Sequence, residues 1–302
     1  MVTEQIIWRC PYSELLSSYT AQMFFETLIR RIQHWLRLVW PASVETSPAR
    51  TLYPMNELAL LLCGDGAVGT AGIALSQLSN SIKGFSSRAA RFLAEDTTDE
   101  TLSYGPFCAR VLLENGCAAL VGRLDTFRML YLSEFQAQPE YEYGKRVKSA
   151  FAWTGDVIPE DKQSNALWNA DHDLPKISRA LFSKHFDHVF WKPALARLLD
   201  HVSTLVPDPL LVDVLNIDPD RFIEETKGRS AQLYSTLSKG VHWEFFTSAL
   251  LFDGVTVKNS IREAILLVAH LGLASHFVHT AYASLGPSLA VDSYKAIRRL
   301  VP

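Results

Sequence analysis

Apolar residues recur every three or four positions over long stretches of this chain, which is the spacing of one face of an α-helix. One stripe consists of Ala21, Phe25, Leu28, Ile32, Trp35 and Val39. A second consists of Leu113, Cys117, Leu120, Leu124, Phe127 and Tyr131. A third lies within 71–94 and offers Ile73, Leu75, Leu78, Ile82, Phe85, Ala89 and Phe92 for burial. The three stripes predict amphipathic helices, and each apolar face requires a partner.

The second half of the chain repeats the helical pattern. Helices are predicted near 177–187, 193–205, 219–239, 241–251, 260–285 and 293–301. Short alternating runs joined by tight turns, which would indicate strands, are scarce. We therefore predict an all-α fold, a multi-helix bundle.

A break in the pattern divides the chain. Residues 155–176 read GDVIPEDKQSNALWNADHDLPK, rich in Asp, Asn and Pro and without a long apolar period. Such composition is typical of a linker or a long loop. The predicted organisation is a helical N-terminal domain over 1–154, this linker, and a C-terminal helical bundle over 177–302.

Charge is nearly balanced over the 302 residues. Lys plus Arg number 29 and Asp plus Glu number 32, so the formal net charge is −3. This balance argues against a strongly cationic nucleic-acid binder, although a local basic patch is compatible with it. Small clusters such as Arg88 with Arg91 are interpreted by default as solvated helix faces.

Two segments of the sequence bear on where in the cell the protein is located. The N-terminal segment contains Glu4 and lacks an apolar run of signal-peptide length, which predicts a cytoplasmic protein. Residues 264–290 contain no charged side chain and are long enough to cross a bilayer. They also contain His270, His276 and His279, which are costly in lipid. A buried helix of a bundle is the better interpretation, and no membrane contact is expected.

The sequence Gly64-Asp-Gly-Ala-Val-Gly69 spells GxGxxG after an apolar run. In a dinucleotide-binding fold such glycines let the backbone approach a pyrophosphate between a strand and a helix. Here the following residues read as one long helix, without the second strand and its acidic residue. We therefore favour a helix–helix junction in which small residues permit close approach, and we predict no cofactor.

Two histidine pairs have helical spacing. His185 and His188 are three residues apart, as are His276 and His279. Two such pairs could supply four ligands to a metal ion. Buried histidines bound to backbone or water explain the pattern better, and the four cysteines form no CxxC pair. A metal-dependent hydrolase stays an alternative, and no metal site is assigned.

One short motif resembles a known family. The segment Tyr234-x-x-Leu237-Ser238-x-x-Val241-His242 is similar to the Y-x-x-L-S-x-x-V-H signature of HEPN-like helical domains. The resemblance implies a small up-and-down bundle that dimerises, found in bacterial toxins, abortive-infection proteins and mobile-element proteins. It also implies, for active members, metal-independent cleavage of RNA by a composite site of histidine and arginine from two protomers.

This chain departs from the active pattern. In the family, four to six residues separate the arginine from the histidine, but the corresponding positions here hold Leu237, Thr236 and Ser235. The nearest basic residue is Lys239. Without the guanidinium, RNA cleavage loses its main group for stabilising the anion. A secondary pair with suitable spacing, Arg179 and His185, lacks the surrounding motif.

These observations favour a non-catalytic interaction subunit of a prokaryotic defence or mobile-element complex, with protein partners and RNA as a further candidate partner. The alternative is a metal-independent ribonuclease in which His242 acts as acid or base, with Lys239 holding phosphate and Glu244 beside them. Homodimerisation through the C-terminal helices is expected in either case.

Overall fold

In the computed structural model, the residues that the structure describes are 56–127, 129–130, 181–241 and 253–301. They belong to one compact unit, Leu52–Pro302. The helices are α1 (Asn56–Cys63), α2 (Gly69–Ala94), α3 (Asp99–Leu124), α4 (Lys184–Phe186), α5 (Lys192–Ser203), α6 (Val212–Leu215), α7 (Phe222–Val241), α8 (Gly254–Ser275) and α9 (Pro287–Leu300). A π-helical turn, Asp187–Trp191, joins α4 to α5, and a 3₁₀ turn, Pro209–Leu211, precedes α6.

The predicted fold class is confirmed, because the described residues form a multi-helix bundle without a strand. Helix α3 lies at its centre and packs against α8, α2, α7 and α1. Glycines allow α3 and α8 to approach closely. A Cβ added at Gly105 would lie 2.6 Å from Val257, and one at Gly116 would lie 3.0 Å from Val268.

Local sequence signals begin two of the long helices. Thr98 precedes α3, and its hydroxyl accepts the Thr101 amide while the Thr101 hydroxyl accepts the Thr98 amide, a reciprocal capping box. Asp253 precedes α8, and its carboxylate accepts the Thr256 amide at 2.7 Å. These caps satisfy amides that the first helical turn leaves without partners.

Several predicted boundaries are wrong. The helix that carries the second apolar stripe, α3, begins at Asp99, and Pro106 lies inside it. The second apolar stripe runs past the end of α3 at Leu124, and its Phe127 is exposed. The helix expected over 260–285 ends at Ser275. Ile73 was expected in the core, but it is exposed on α2.

Parts of the sequence prediction lie outside the described residues. These are the stripe from Ala21 to Val39, the helix near 241–251 and the predicted linker over 155–176. The described helices on either side of that linker share one apolar core, since α3 packs against α8. None of the described helices combines the length and the apolarity that crossing a bilayer requires.

Candidate functional site

The described part of the family-like motif lies on the last turns of α7, where its residues pack into the bundle. Leu237 is completely buried. The hydroxyl of Ser238 donates to the carbonyl of Tyr234 at 2.7 Å, one turn earlier in the helix. The Tyr234 hydroxyl accepts a hydrogen bond from Nη2 of Arg110, on α3, at 2.8 Å. This part of the motif therefore holds α7 against α3.

Arg110 supplies a guanidinium to the motif from a distant part of the sequence. Its guanidinium carbon lies 4.7 Å from the centre of the Tyr234 ring, within the range of a cation–π interaction. Its Nε also donates to Glu114 at 3.0 Å. A search of the residues just before His242 could not find this arginine, because it precedes Tyr234 by 124 residues.

The predicted catalytic residues are only partly described. Lys239 is exposed near the end of α7, and His185 is buried at the start of the described segment that precedes α5. His242, Glu244 and Arg179 lie outside the described residues. Their predicted roles stay predictions.

The four paired histidines occupy dissimilar positions. His185 and His276 are buried, whereas His188 and His279 are exposed. Both ring nitrogens of His276 are engaged by other groups of the protein. Within the ranges that the structure describes, no three His, Cys, Asp or Glu side chains are grouped where they could hold a metal ion. The metal-site alternative therefore gains no support from their placement.

The glycine motif forms the junction between α1 and α2, as predicted. Gly64 has a φ of +72°, and a Cβ added to it would lie 1.8 Å from the carbonyl oxygen of Ala283. Asp65 donates its amide to the same oxygen at 3.0 Å. The Tyr282 hydroxyl accepts the amide of Val68 at 2.8 Å and lies 2.9 Å from its carbonyl oxygen. The loop is thus fixed against residues 281–285.

The same loop is poorly arranged to cradle a phosphate. A cavity of about 380 Å³ lies beside it, between α1 and α2. The amides of Gly64, Asp65, Gly66 and Val68 all donate to acceptors within the protein. Glu57 and Asp65 line the cavity and would repel an anion, with Lys83 also in its wall. These contacts agree with a structural junction.

Arg123 is the most heavily bonded buried side chain of the bundle, with 1% of its surface exposed. Its Nε donates to the Tyr282 carbonyl at 2.9 Å. Nη1 donates to the Leu61 carbonyl and to the Ser275 hydroxyl, and Nη2 donates to His276 and to the Ser284 hydroxyl. All five N–H groups of the guanidinium are therefore used.

Arg123 is buried among neutral acceptors at three helix ends. It lies in the last turn of α3, Leu61 lies in the last turn of α1, and Ser275 ends α8. Helix C-termini carry partial negative charge, which favours a cation there. Burial nevertheless lowers the pKa of Arg123 to about 10. This arrangement fixes three helices to one another.

His276 completes this buried cluster as a neutral imidazole. Its Nε2 lies 2.9 Å from the Leu61 carbonyl, so this nitrogen must carry the proton. Its Nδ1 then accepts hydrogen bonds from Arg123 and from the amide of Leu285. Burial, together with the positive charge of Arg123, lowers the pKa of His276 to about 3.

The low pKa of His276 predicts a loss of stability in acid. Because the folded pKa lies below the unfolded value of about 6.5, the unfolded chain binds the proton more strongly between these values. The contribution of His276 to the free energy of unfolding is fully present above about pH 6.5, and it is lost as the pH falls toward 3. Between pH 7 and 4.5 we expect the free energy of unfolding to fall by about 2 kcal/mol through this residue.

Urea unfolding at the two pH values measures this loss. The variant His276→Gln should be less stable than the wild type at pH 7 and should show a smaller difference between pH 7 and 4.5. An equal pH dependence in both proteins would contradict the neutral state assigned to His276.

A second polar network joins α6, α8 and α9. Asp213 accepts a hydrogen bond from the Tyr294 hydroxyl at 2.5 Å and lies 3.1 Å from Nε2 of His270. Arg298 forms an ion pair with the same carboxylate oxygen at 3.2 Å. Burial alone would raise the pKa of Asp213, but the bonds from His270 and Tyr294 outweigh it and hold the pKa at about 2.

Beside this network, an apolar groove lies between the segment before α6 and the start of α9. It encloses about 410 Å³. Its apolar lining consists of Leu205, Val206, Pro207, Pro209, Leu211 and Val291. Lys295 lies in the same wall, 3.6 Å from Asp208 and 3.2 Å from Asp292. Val206 is 86% exposed, which is unusual for a large apolar side chain.

Sequence reasoning missed both polar clusters and the groove. Asp213, His270 and Tyr294 are separated by 57 and 24 residues along the chain, and no motif links them. The one available signal was the presence of polar residues within the uncharged stretch 264–290. His270 and His276, both in that stretch, indeed contact buried polar partners.

Comparison with known proteins adds no relative. No protein-family model, no curated protein and no solved structure matches this chain.

Proposed function

We propose that this chain is a non-catalytic, all-helical interaction subunit of a larger prokaryotic complex of the defence or mobile-element type, in which residues 177–302 form a HEPN-like bundle. The observation that carries the proposal is the groove beside α9, where an exposed valine borders a row of apolar side chains. Clustered apolar residues rimmed by charge are typical of surfaces that bind proteins.

The groove has the chemistry that an amphipathic helix of a partner would need. Its apolar floor would receive the partner's apolar stripe, as in helix-in-groove recognition. Asp208, Asp292 and Lys295 at the rim would meet polar residues of that helix. The network of Asp213, His270 and Tyr294 supports this wall from behind, because it fixes α9 to α6 and α8.

The use of the motif residues on α7 also supports a binding role. Leu237 is buried, Ser238 bonds within its own helix, and Tyr234 binds Arg110. These side chains contribute to packing between helices. The polar hydrogens of Arg123 are likewise all engaged, so this buried guanidinium has none left for a substrate.

A metal-independent ribonuclease is the second candidate, and one contact favours it. Arg110 brings a guanidinium to the motif helix from α3, although the residues just before His242 contain none. In this version His242 would act as acid or base, with Lys239 or a partner protomer's basic residue holding phosphate.

Co-purification from the native host tests the proposed function. A protein that copurifies with the tagged wild-type chain should be lost with Val206→Glu, because burying a carboxylate against the apolar lining costs its desolvation. It should be retained with Val255→Glu, a matched change at a valine that is 69% exposed at the start of α8. Mass spectrometry of the two eluates gives the comparison.

Two results would contradict the proposal. One is an unchanged set of copurifying proteins with Val206→Glu. The other is cleavage of RNA by the purified chain in EDTA that disappears in His242→Ala, which would establish the ribonuclease instead.

A further inference from the structure

Two arginines and three aromatic side chains lie on neighbouring parts of α2, α3 and α7. We call this group of side chains the arginine–aromatic ribbon and define it by Arg88 on α2, Tyr104, Phe107 and Arg110 on α3, and Tyr234 on α7. Tyr104, Phe107 and Arg110 are spaced three residues apart, so they wind around α3 from the side of α2 toward the side of α7. Contacts between helices join Arg88 to Tyr104 and Arg110 to Tyr234.

Phe107 contacts two neighbouring rings, a tilted one from the ribbon and an edge-on one beside it. The ring centres of Tyr104 and Phe107 are 5.3 Å apart, and Phe85 of α2 lies 5.8 Å from Phe107. Phe107 is 36% exposed, although its ring is large and apolar. A partly exposed ring within an aromatic cluster can contact a ligand.

Arg88 contacts this platform. Its guanidinium carbon lies 5.6 Å from the centre of the Phe85 ring and 5.9 Å from that of Tyr104. It also donates a hydrogen bond of 3.4 Å to the Tyr104 hydroxyl. Within the described part of the chain, no carboxylate lies within ion-pair distance of Arg88. Its charge is thus positioned by rings and stays available to an anion.

The local charge of the ribbon is positive in a chain whose net charge is negative. Helix α2 contains Lys83, Arg88 and Arg91 and no acidic residue. Glu100 pairs with Arg91 at 2.6 Å, and Glu114 pairs with Arg110 at 3.0 Å, so these carboxylates neutralise two of the arginines. Arg88 remains as the unneutralised cation beside the exposed ring of Phe107.

We propose that the arginine–aromatic ribbon binds single-stranded nucleic acid, with a base stacked on Phe107 and a phosphate held by Arg88. In single-strand binding proteins, bases stack on aromatic side chains, and arginine binds the phosphates of the nucleic-acid backbone. A duplex cannot offer a base face, because its bases are stacked on one another. An acidic protein would use the cations but would gain little from an exposed phenyl ring. The proposal is independent of the groove and of His242.

Fluorescence anisotropy with a labelled 15-nucleotide oligo-U and the matching oligo-dT tests the ribbon. Wild-type protein should bind both strands saturably, and Phe107→Ala should weaken binding by about tenfold, the typical loss for one stacked base. Arg88→Gln should weaken binding and should also flatten the plot of log K against log salt by about 0.7, the loss of one phosphate contact.

Two control variants test whether the loss of oligonucleotide binding is specific to the ribbon. Arg221→Gln removes an arginine that is 70% exposed just before α7 and bound to Glu225, and it should bind like the wild type. Val206→Glu should also bind normally, which separates the ribbon from the groove. Circular dichroism spectra should be unchanged, since Phe107 and Arg88 are both exposed.

Three outcomes would overturn the proposal. One is no saturable binding of either strand by the wild type. Another is equal affinity of Phe107→Ala and wild type, which would reduce the interaction to charge alone. The third is equal competition by polyglutamate and by unlabelled oligo-U, which would show that the ribbon does not distinguish nucleic acid from an acidic polypeptide.

Discussion

Gly64→Ala is expected to destabilise the bundle by about 4 kcal/mol, a large part of the total stability of an ordinary domain. Two separate costs contribute. An alanine at the φ of +72° pays about 1–2 kcal/mol for the left-handed conformation. Its Cβ would also lie 1.8 Å from the Ala283 carbonyl oxygen, a backbone atom that cannot rotate away.

The second cost extends beyond the loop. Residues 281–285 must move to relieve the contact, yet Tyr282, Ser284 and Leu285 of that segment bind Arg123 and His276. A displaced segment would therefore weaken the buried cluster at the ends of α1, α3 and α8. Urea unfolding of the purified variant measures the combined loss.

Gly66→Ala is the matched control. Gly66 has a nearly identical φ of +71°, and an added Cβ would meet no atom of the described residues within 4 Å. We expect this variant to lose only about 1–2 kcal/mol, the cost of the backbone conformation. Equal losses in the two variants would contradict the close approach of Gly64 to Ala283.

Arg123→Met is expected to cost about 3–5 kcal/mol, the upper range for a substitution that breaks a buried hydrogen-bond network. Methionine fills much of the volume but donates no hydrogen bond. The Tyr282 carbonyl would lose the donor that Nε provides, and the hydroxyls of Ser275 and Ser284 would each lose one. Unpaired buried acceptors cost about 1–3 kcal/mol each. Thermal and urea unfolding measure the effect.

Two further variants separate charge from geometry. Arg123→Lys retains the charge but supplies three donors from a single point, so it should recover only part of the lost stability. Arg229→Gln removes an exposed arginine paired with Glu263 at 3.3 Å and should change stability by less than about 1 kcal/mol. Full stability in Arg123→Lys would show that the positive charge, and not the fork of donors, holds the helix ends.

The contrast between His276 and His279 illustrates how far the sequence could lead toward a site. Both residues follow the same spacing rule, and both were candidates for a metal site. His276 is buried and bonded to Arg123 and Leu61, whereas His279 is exposed. Spacing along a helix predicts which residues share a face, but α8 ends at Ser275, before either histidine. The shared face therefore does not exist.

The motif on α7 could indicate only residues that are close together in the sequence. The motif located Tyr234, Leu237 and Ser238 correctly on a helix. It could not indicate Arg110, which reaches Tyr234 from α3. A motif describes neighbours along the chain, and a binding surface is formed by neighbours in space.

The amino-acid sequence by itself determined the helices, because the period of apolar residues and the spacing of glycines are local properties of the chain. It determined that α2 is a cationic helix and that Gly64–Gly69 joins two helices. Only the tertiary structure decided which polar groups meet, since Arg123, His276 and Tyr282 come together through the packing of three helix ends. The ribbon and the groove depend in the same way on contacts between elements that are far apart in sequence.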